Sequence, residues 1–265
     1  KNYCTYIRAY LHYLTDILHK SPEDVSWEEL RDYIRWLQKS RALSDRTVNC
    51  AISQLRFFTL YVLHKQWDDT QLPMRKFDEY LPYVPSRQET WQFISTMPDL
   101  KQKTMVTVMY SSGLRIGEVC GLTWQDINLE EQYLTIKRSI RYDGAIHKNI
   151  IGPTKRRKVR IVDFGATLSG ILKEARKEQL KNRMQYGEHY HLNYHKEVQD
   201  KNRVYYEYYH LDGTQDVLEE YKEISFVCLR PDGCLELPST LGVVCRTVSN
   251  KLDGFEGFHF HQLRH

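Results

Sequence analysis

Between Met105 and Asp126 the chain reads as an apolar helix that is cut and then restarted. The run Met105-Val106-Thr107-Val108-Met109 leads into a Ser111-Ser112-Gly113 break. Leu114, Val119 and Leu122 then resume a helical apolar face, with Ile116 beside it. The restart carries charge: Arg115 stands at its head and Glu118 follows three residues later, so the two are neighbours on one helix. An arginine at the head of a mostly apolar helix is costly to bury unless something anionic meets it. On this stretch two readings stand side by side. Arg115 and Glu118 form a pair that only stabilises the turn, or Arg115 is set to meet an anionic ligand.

The end of the chain bears on that choice. Phe258-His259-Phe260-His261-Gln262-Leu263-Arg264-His265 puts His261 and Arg264 three apart, again on one helical face. Between the two arginines lies Gly152-Pro153-Thr154-Lys155-Arg156-Arg157-Lys158-Val159-Arg160, a Gly-Pro turn crowded with positive charge. Like charges this dense repel one another unless phosphate is near. Two arginines, a histidine and a basic turn suit the holding of a phosphodiester. Arginine stays protonated at working pH and offers a planar fork to two non-bridging oxygens. In these motifs the chain resembles the tyrosine recombinase (phage integrase) family. Gly113-Leu114-Arg115-Ile116-Gly117-Glu118 and the residues after it are similar to that family's first arginine box, and His261-Gln262-Leu263-Arg264-His265 to its His-x-Leu-Arg-His box.

At 265 residues the chain is long enough for two domains with sizeable cores. Lys and Arg outnumber Asp and Glu by 38 to 34, too mild an excess to announce a nucleic-acid binder, so local clustering carries that argument. The cysteines at 4, 50, 120, 228, 234 and 245 form no CxxC pair and read as reduced thiols, not as a disulfide framework or a zinc site. No secretory or membrane-spanning segment is legible. The chain opens on Lys1 rather than an initiator methionine, which leaves room for residues before it.

The expected fold class is α+β, mainly α. A helical domain spans 1–78, a linker 79–88, and a mixed helical domain with a small antiparallel sheet 89–265. In the first, Tyr6, Tyr10, Tyr13, Leu14 and Ile17 mark an amphipathic helix. Ser26-Trp27-Glu28-Glu29 is a capping box ahead of Leu30, Tyr33, Ile34 and Leu37. Ser44 or Asp45 caps a third helix whose apolar stripe runs through Val48, Ile52, Leu55, Phe58 and Val62. Pro73, Pro82 and Pro85 break the pattern, and Ser86 starts the next helix. Tyr133–Ile136 and Ser139–Tyr142 read as strands, with Asp143-Gly144 as a turn; Phe226–Leu229 reads as a strand and Pro231-Asp232-Gly233 as a turn. Ala166 to Met184 is helical. The Tyr- and His-rich segment 185–221 is longer than a typical connection and departs from the compact family pattern. His191 and His195 stand at the i, i+4 spacing that could share a metal on a helix, but with no cysteine beside them in sequence a solvated insertion is the reading taken, and neither metal nor cofactor is expected.

The resemblance implies a chemistry. Arg115 and Arg264 would clamp the non-bridging oxygens of the scissile phosphate, with Glu118 orienting the Arg115 region. Lys155 would protonate the 5′-oxygen leaving group, with Lys158 the fallback because Asp163 stands where the family usually has proline. His261 would assist proton transfer, and His265 would pack. Arg46, Thr47, Asn49 and Arg56 on the third helix, with Arg156, Arg157 and Lys158, are candidate DNA contacts; a solvated helix face is the competing reading for the first group. The family's nucleophile, a tyrosine beyond the second arginine box, has no counterpart before His265. The chain is therefore expected to be truncated, to bind duplex DNA and not to cut it. Double-stranded DNA, a tetramer on paired sites, and a cytoplasmic location without membrane contact complete the expectation. A type IB topoisomerase-like enzyme and a non-catalytic DNA-binding module are the rival readings.

Overall fold

A computed structural model describes residues 4–78, 83–144, 146–155, 157–200, 203–255, 258 and 262–263. The chain divides into two units, Lys1–Leu81 and Pro82–His265. In the first, α1 (Thr5–Tyr13) runs into a widened π turn, Leu14–Leu18, that His19 ends in the left-handed region. The Ser26–Glu29 capping box starts α2 (Trp27–Arg41). Ser44 starts α3 (Asp45–Tyr61), its hydroxyl accepting from the Thr47 amide. The three helices close on Tyr10, Tyr13, Tyr33, Ile34, Leu37, Val48, Ile52 and Leu55, all buried. Tyr33 lies between Tyr10 and Tyr13, with ring centroids 5.1 and 5.2 Å away, and its hydroxyl donates to the Tyr6 carbonyl at 2.9 Å. Two residues of the expected stripes are exposed instead. Ile17 sits in the π turn and Val62 at the end of α3, where the helical register no longer points inward.

The second unit begins with α4 (Arg87–Ser95), whose first turn includes Arg87 and Gln88 and is fixed by a Ser86–Glu89 capping box. Next comes α5 (Leu100–Ser112), buried on most of its faces through Thr104 to Met109, as befits a central helix. It ends at Gly113, φ +58°, the left-handed cap that glycine adopts without a Cβ penalty. After α6 (Ile116–Cys120) come β1 (Ile127–Asn128), β2 (Tyr133–Ile136), β3 (Arg138–Asp143), β4 (Lys148–Pro153) and β5 (Arg160–Asp163). Then follow α7 (Ala166–Tyr186), β6 (Leu192–Asp200), β7 (Arg203–Leu211), β8 (Lys222–Glu223) and α8 (Pro238–Ser249). The fold is α+β with helices prevailing. Its core gathers Phe93, Met105, Met109, Leu114, Val119, Leu134, Leu172, Phe226, Leu241, Phe258 and Leu263.

The β part is larger than expected: two antiparallel sheets, β1-β2-β5 and β3-β4-β7-β6-β8. Register shows how they join. Ile136 pairs with Arg160 and Arg138 with Pro153, so β2–β3 runs antiparallel to β4–β5 and the described residues between Pro153 and Arg160 are extruded opposite Lys137. The basic Gly-Pro segment is therefore a lateral bulge on the ribbon, and the ribbon turns back between β3 and β4. The segment after α7 also differs from the solvated insertion expected. It forms the long β6–β7 hairpin, which docks on β4 and buries Tyr194 and Tyr205 on the strands with Tyr190 just before them. His191 thus lies just before β6 and His195 on it, neither on a helix. Phe226–Leu229 makes only isolated bridges, Thr123 to Phe226 and Leu229 to Leu235, because neighbouring loops rather than strands flank it. The six cysteines are all free. Among the described residues no helix is long and apolar enough to cross a membrane.

Candidate active site

The sequence around Arg115 folds as it does because two glycines let a short helix lie on a strand. A Cβ on Gly117 would stand 2.4 Å from the Ile140 carbonyl oxygen and 2.7 Å from Ser139 Oγ. One on Gly121 would stand 3.3 Å from the Arg138 backbone. So α6 sits against β3 at glycine distance, and the residue at its head is fixed. That residue is Arg115, extended at φ −77°, ψ 152°. Its backbone amide donates to Glu118 Oε2 at 2.9 Å and its guanidinium to Glu118 Oε1 at 3.1 Å.

Glu118 holds a second arginine as well. Arg160, at the start of β5, donates from Nη2 to Glu118 Oε2 at 2.7 Å. The carboxylate is 1 % exposed, while Arg115 and Arg160 are 32 % and 36 % exposed. Burial works to raise the Glu118 pKa, but the Arg115 amide bond, the Arg160 charge and both guanidinium bonds outweigh it and hold the group below the ordinary carboxylate value. The result is a buried anion with two cationic heads that still reach solvent. Such heads can take a phosphate without their own positions being lost.

The Glu118–Arg160 bond also ties this corner to the basic bulge. Thr154, buried, anchors the bulge: its hydroxyl donates to the Lys158 carbonyl at 2.9 Å and its carbonyl accepts from the Arg157 amide at 2.8 Å. Lys155, Arg157 and Lys158 are exposed, with Arg157 in the left-handed region at φ 54°. Arg156, His261, Arg264 and His265 lie outside the described residues. Phe258 and Leu263, on either side of His261 in sequence, are buried in the unit's core, and Gln262 Nε2 donates to the Tyr83 carbonyl at 2.8 Å. Arg160 and Thr154 were not singled out as site residues from sequence. The signal for Arg160 was its strand alternation with Lys158 and Val162; Thr154 left none.

The other arginine-box residues build the support. The Thr123 amide and hydroxyl donate to Asp126 Oδ2 at 3.3 and 2.7 Å, closing the turn Trp124–Asp126. Arg138 donates to the same oxygen at 2.8 Å, and Lys137 pairs with Asp126 Oδ1 at 3.2 Å. Tyr205 to Tyr209 lie on β7. The Tyr208 phenol is pushed up to about 12 by burial, and Tyr209 is pushed above its ordinary value by its bond to Glu207. Neither environment favours a phenolate.

In the first unit, Arg46 lies over the Phe77 ring at 5.0 Å and Arg56 pairs with Asp69 at 2.9 Å. Both are exposed. Thr47 Oγ1 is 3.0 Å from Ser44 Oγ. The Asn49 amide donates to the Arg75 carbonyl at 2.9 Å and accepts from the Arg75 amide at 2.7 Å, so it pins a distant chain segment.

Comparison with known proteins adds a family. A model described as "Phage integrase family" matches residues 87–224, and one described as "Phage integrase, N-terminal SAM-like domain" matches 1–69. Tyrosine recombinase XerA of Pyrococcus furiosus is 29 % identical over 136 residues, covering 49 % of this chain and 46 % of that protein. The chain spans less than half the length of the curated relatives it matches. Among solved structures, the Tn1549 transposon integrase in complex with transposon right end DNA matches over 97 % of this chain and 76 % of that one, with TM-score 0.66 and 15 % identity. A lambda integrase tetramer bound to a Holliday junction matches over 99 % and 61 %, with TM-score 0.56 and 13 % identity. At such identity these two matches speak to the fold.

Proposed function

This chain belongs to the phage integrase family, the tyrosine recombinases, and from that premise we propose that it serves site-specific recombination of double-stranded DNA, as in the integration or excision of a mobile element. The observation that carries the proposal is the Arg115–Glu118–Arg160 corner, which holds Arg115 at the lip of the core with its guanidinium still partly open to solvent. In the reaction a tyrosine hydroxyl attacks the scissile phosphate, a 3′-phosphotyrosine bond forms, and the bond to the 5′-oxygen breaks. Rejoining reverses the step on a different strand. Arg115, with Arg264, stabilises charge on the non-bridging oxygens as the phosphorus becomes pentacoordinate. Lys155 delivers the proton to the departing 5′-oxygen and His261 assists proton transfer. Glu118 positions Arg115. Arg156, Arg157 and Lys158 contact the neighbouring backbone, and Arg46, Thr47 and Arg56 the duplex beside it. Asn49 joins them only by giving up its bonds to Arg75. The working form is a tetramer on paired sites, in the cytoplasm.

The test uses a nicked suicide duplex carrying a site selected from a randomised pool, incubated with the protein expressed from its reading frame and run on a denaturing gel. A covalent protein–DNA adduct that needs the selected site supports recombination. Site-independent relaxation of a supercoiled plasmid points to a topoisomerase instead, and tight binding without adduct or relaxation to a DNA-binding module. An adduct formed by residues 1–265 alone would assign the nucleophile to a tyrosine within them.

A further inference from the structure

Three side chains far apart in sequence meet where the β6–β7 hairpin docks on the turn before α8. One ligand atom from each of His191, His210 and Cys234 lies within 4.8 Å of the others. The backbone around them is tightly fixed. The His191 amide donates to the Asp232 carbonyl at 2.9 Å, and the buried Asn193 side chain donates to the Gly233 carbonyl at 2.8 Å. Gly233 has φ +87° and its absent Cβ would stand 2.3 Å from the His191 carbonyl oxygen, so strand and turn are in backbone contact.

Each imidazole has a hydrogen-bond partner at Nδ1. His191 Nδ1 is 3.2 Å from the Asp232 carbonyl, which can only accept, so Nδ1 carries the proton and Nε2 keeps its lone pair. His210 Nδ1 is 3.2 Å from the Tyr208 hydroxyl. Cys234 is buried and free. Tetrahedral zinc with Zn–N of about 2.0–2.1 Å and Zn–S of about 2.3 Å separates its donors by roughly 3.3–3.7 Å. Closing that last distance takes a rotation of the exposed His210 ring that exchanges its bond to the Tyr208 hydroxyl for the metal.

We propose that His191, His210 and Cys234 form a zinc site, with solvent in the fourth position, that clamps the β6–β7 hairpin to the Arg230–Cys234 turn. Two imidazoles and a thiolate select a borderline-to-soft divalent ion over magnesium or calcium. No residue assigned to the phosphate site takes part, so the proposal stands apart from the recombination reading. His195, which shares the sequence spacing, is not in the cluster; the pairing of β6 with β7 brings in His210 instead.

The test is cobalt substitution of the chelator-stripped, reduced chain. The expected result is a thiolate-to-cobalt charge-transfer band in the near ultraviolet, with tetrahedral d–d bands in the visible. Both saturate at one ion per chain and are abolished by zinc. Cys234→Ser loses the charge-transfer band, and His210→Ala, at an exposed position, weakens binding by at least about tenfold. Cys50→Ser leaves the spectrum unchanged. Zinc also slows amide exchange in β7 and at 230–235. If Cys234→Ser fails to fold, His210→Ala decides. Absence of the band in the unaltered chain, its survival in His210→Ala at full affinity, or its loss in Cys50→Ser would each overturn the proposal.

Discussion

Glu118 offers the sharpest quantitative handle, because one buried carboxylate accepts three hydrogen bonds: from the Arg115 amide, from the Arg115 guanidinium and from Arg160. Glu118→Ala removes all three and leaves a backbone amide and two guanidinium groups facing a small cavity. Breaking a buried ion pair from one side costs about 3–5 kcal/mol. Both arginines here reach solvent and can rehydrate, so the lower end, about 3 kcal/mol, is expected. Glu118→Gln keeps an acceptor for the Arg115 amide and Arg160 but removes the charge and turns an NH2 donor toward the Arg115 guanidinium, losing a charge-assisted bond, about 1.5–3 kcal/mol. For a unit of this size each kcal/mol moves the melting temperature by about 2–4 °C. The series therefore predicts a drop of about 6–12 °C for Ala and about 3–12 °C for Gln, read by calorimetry at neutral pH. The pH dependence has a definite sign. Glu118 is depressed in the folded state, so its contribution is complete above the unfolded carboxylate value of about 4.3 and is lost as pH falls through the lower folded value. The gap between the unaltered chain and Glu118→Gln should thus shrink in acid. Equal melting of all three at neutral pH, or a gap that widens as pH falls, would refute the reasoning.

Other expectations follow from single contacts. Gly117→Ala forces a Cβ onto the Ile140 carbonyl and should cost about 1–3 kcal/mol in thermal unfolding, with Gly121→Ala milder because its contacts are 3.3 Å. Equal effects would mean that α6 does not seat on β3 as described. Asn49→Ala loses both bonds to Arg75 and should lower stability of the first unit by about 1–2 kcal/mol in urea, whether or not DNA is present. Lys155→Ala should be slow on ordinary DNA and rescued on a 5′-bridging phosphorothioate, whose sulfur leaves without a proton. Rescue of Lys158→Ala alone would move the acid three residues along the bulge.

What was legible in the sequence is what local chemistry fixes. Ser26, Ser44 and Ser86 announced their helices through short-range caps, and Arg115 announced itself by being charged in an apolar run. Gly113 ended α5 because only a left-handed residue fits there. What was not legible depended on register. Nothing local says that Ile136 pairs with Arg160 while Arg138 pairs with Pro153, and that pairing turns the basic Gly-Pro turn into a bulge on one strand of a ribbon. Glu118 was read as a partner of Arg115, three residues away, but its bond to Arg160 spans 42 residues and needs the sheet to form. The same holds for His191, whose neighbours His210 and Cys234 are set by strand pairing and by a glycine turn. The Tyr-rich segment reads as solvated because charge is scattered through it, and only the β6–β7 pairing and its docking on β4 bury Tyr194 and Tyr205.

The central claim is that Arg115 acts on the transition state of strand cleavage rather than merely holding DNA. The direct measurement compares Arg115→Ala with the unaltered protein in two assays on the selected site: equilibrium binding across a salt series, and the rate of covalent adduct formation. Losing one transition-state donor should slow the adduct by about 10²–10³-fold. Losing one phosphate contact should lower the slope of log affinity against log salt by only about 0.9. Slow cleavage with near-normal site binding is the predicted result. Near-normal cleavage, or a loss of cleavage that tracks a matching loss of binding, would contradict the account.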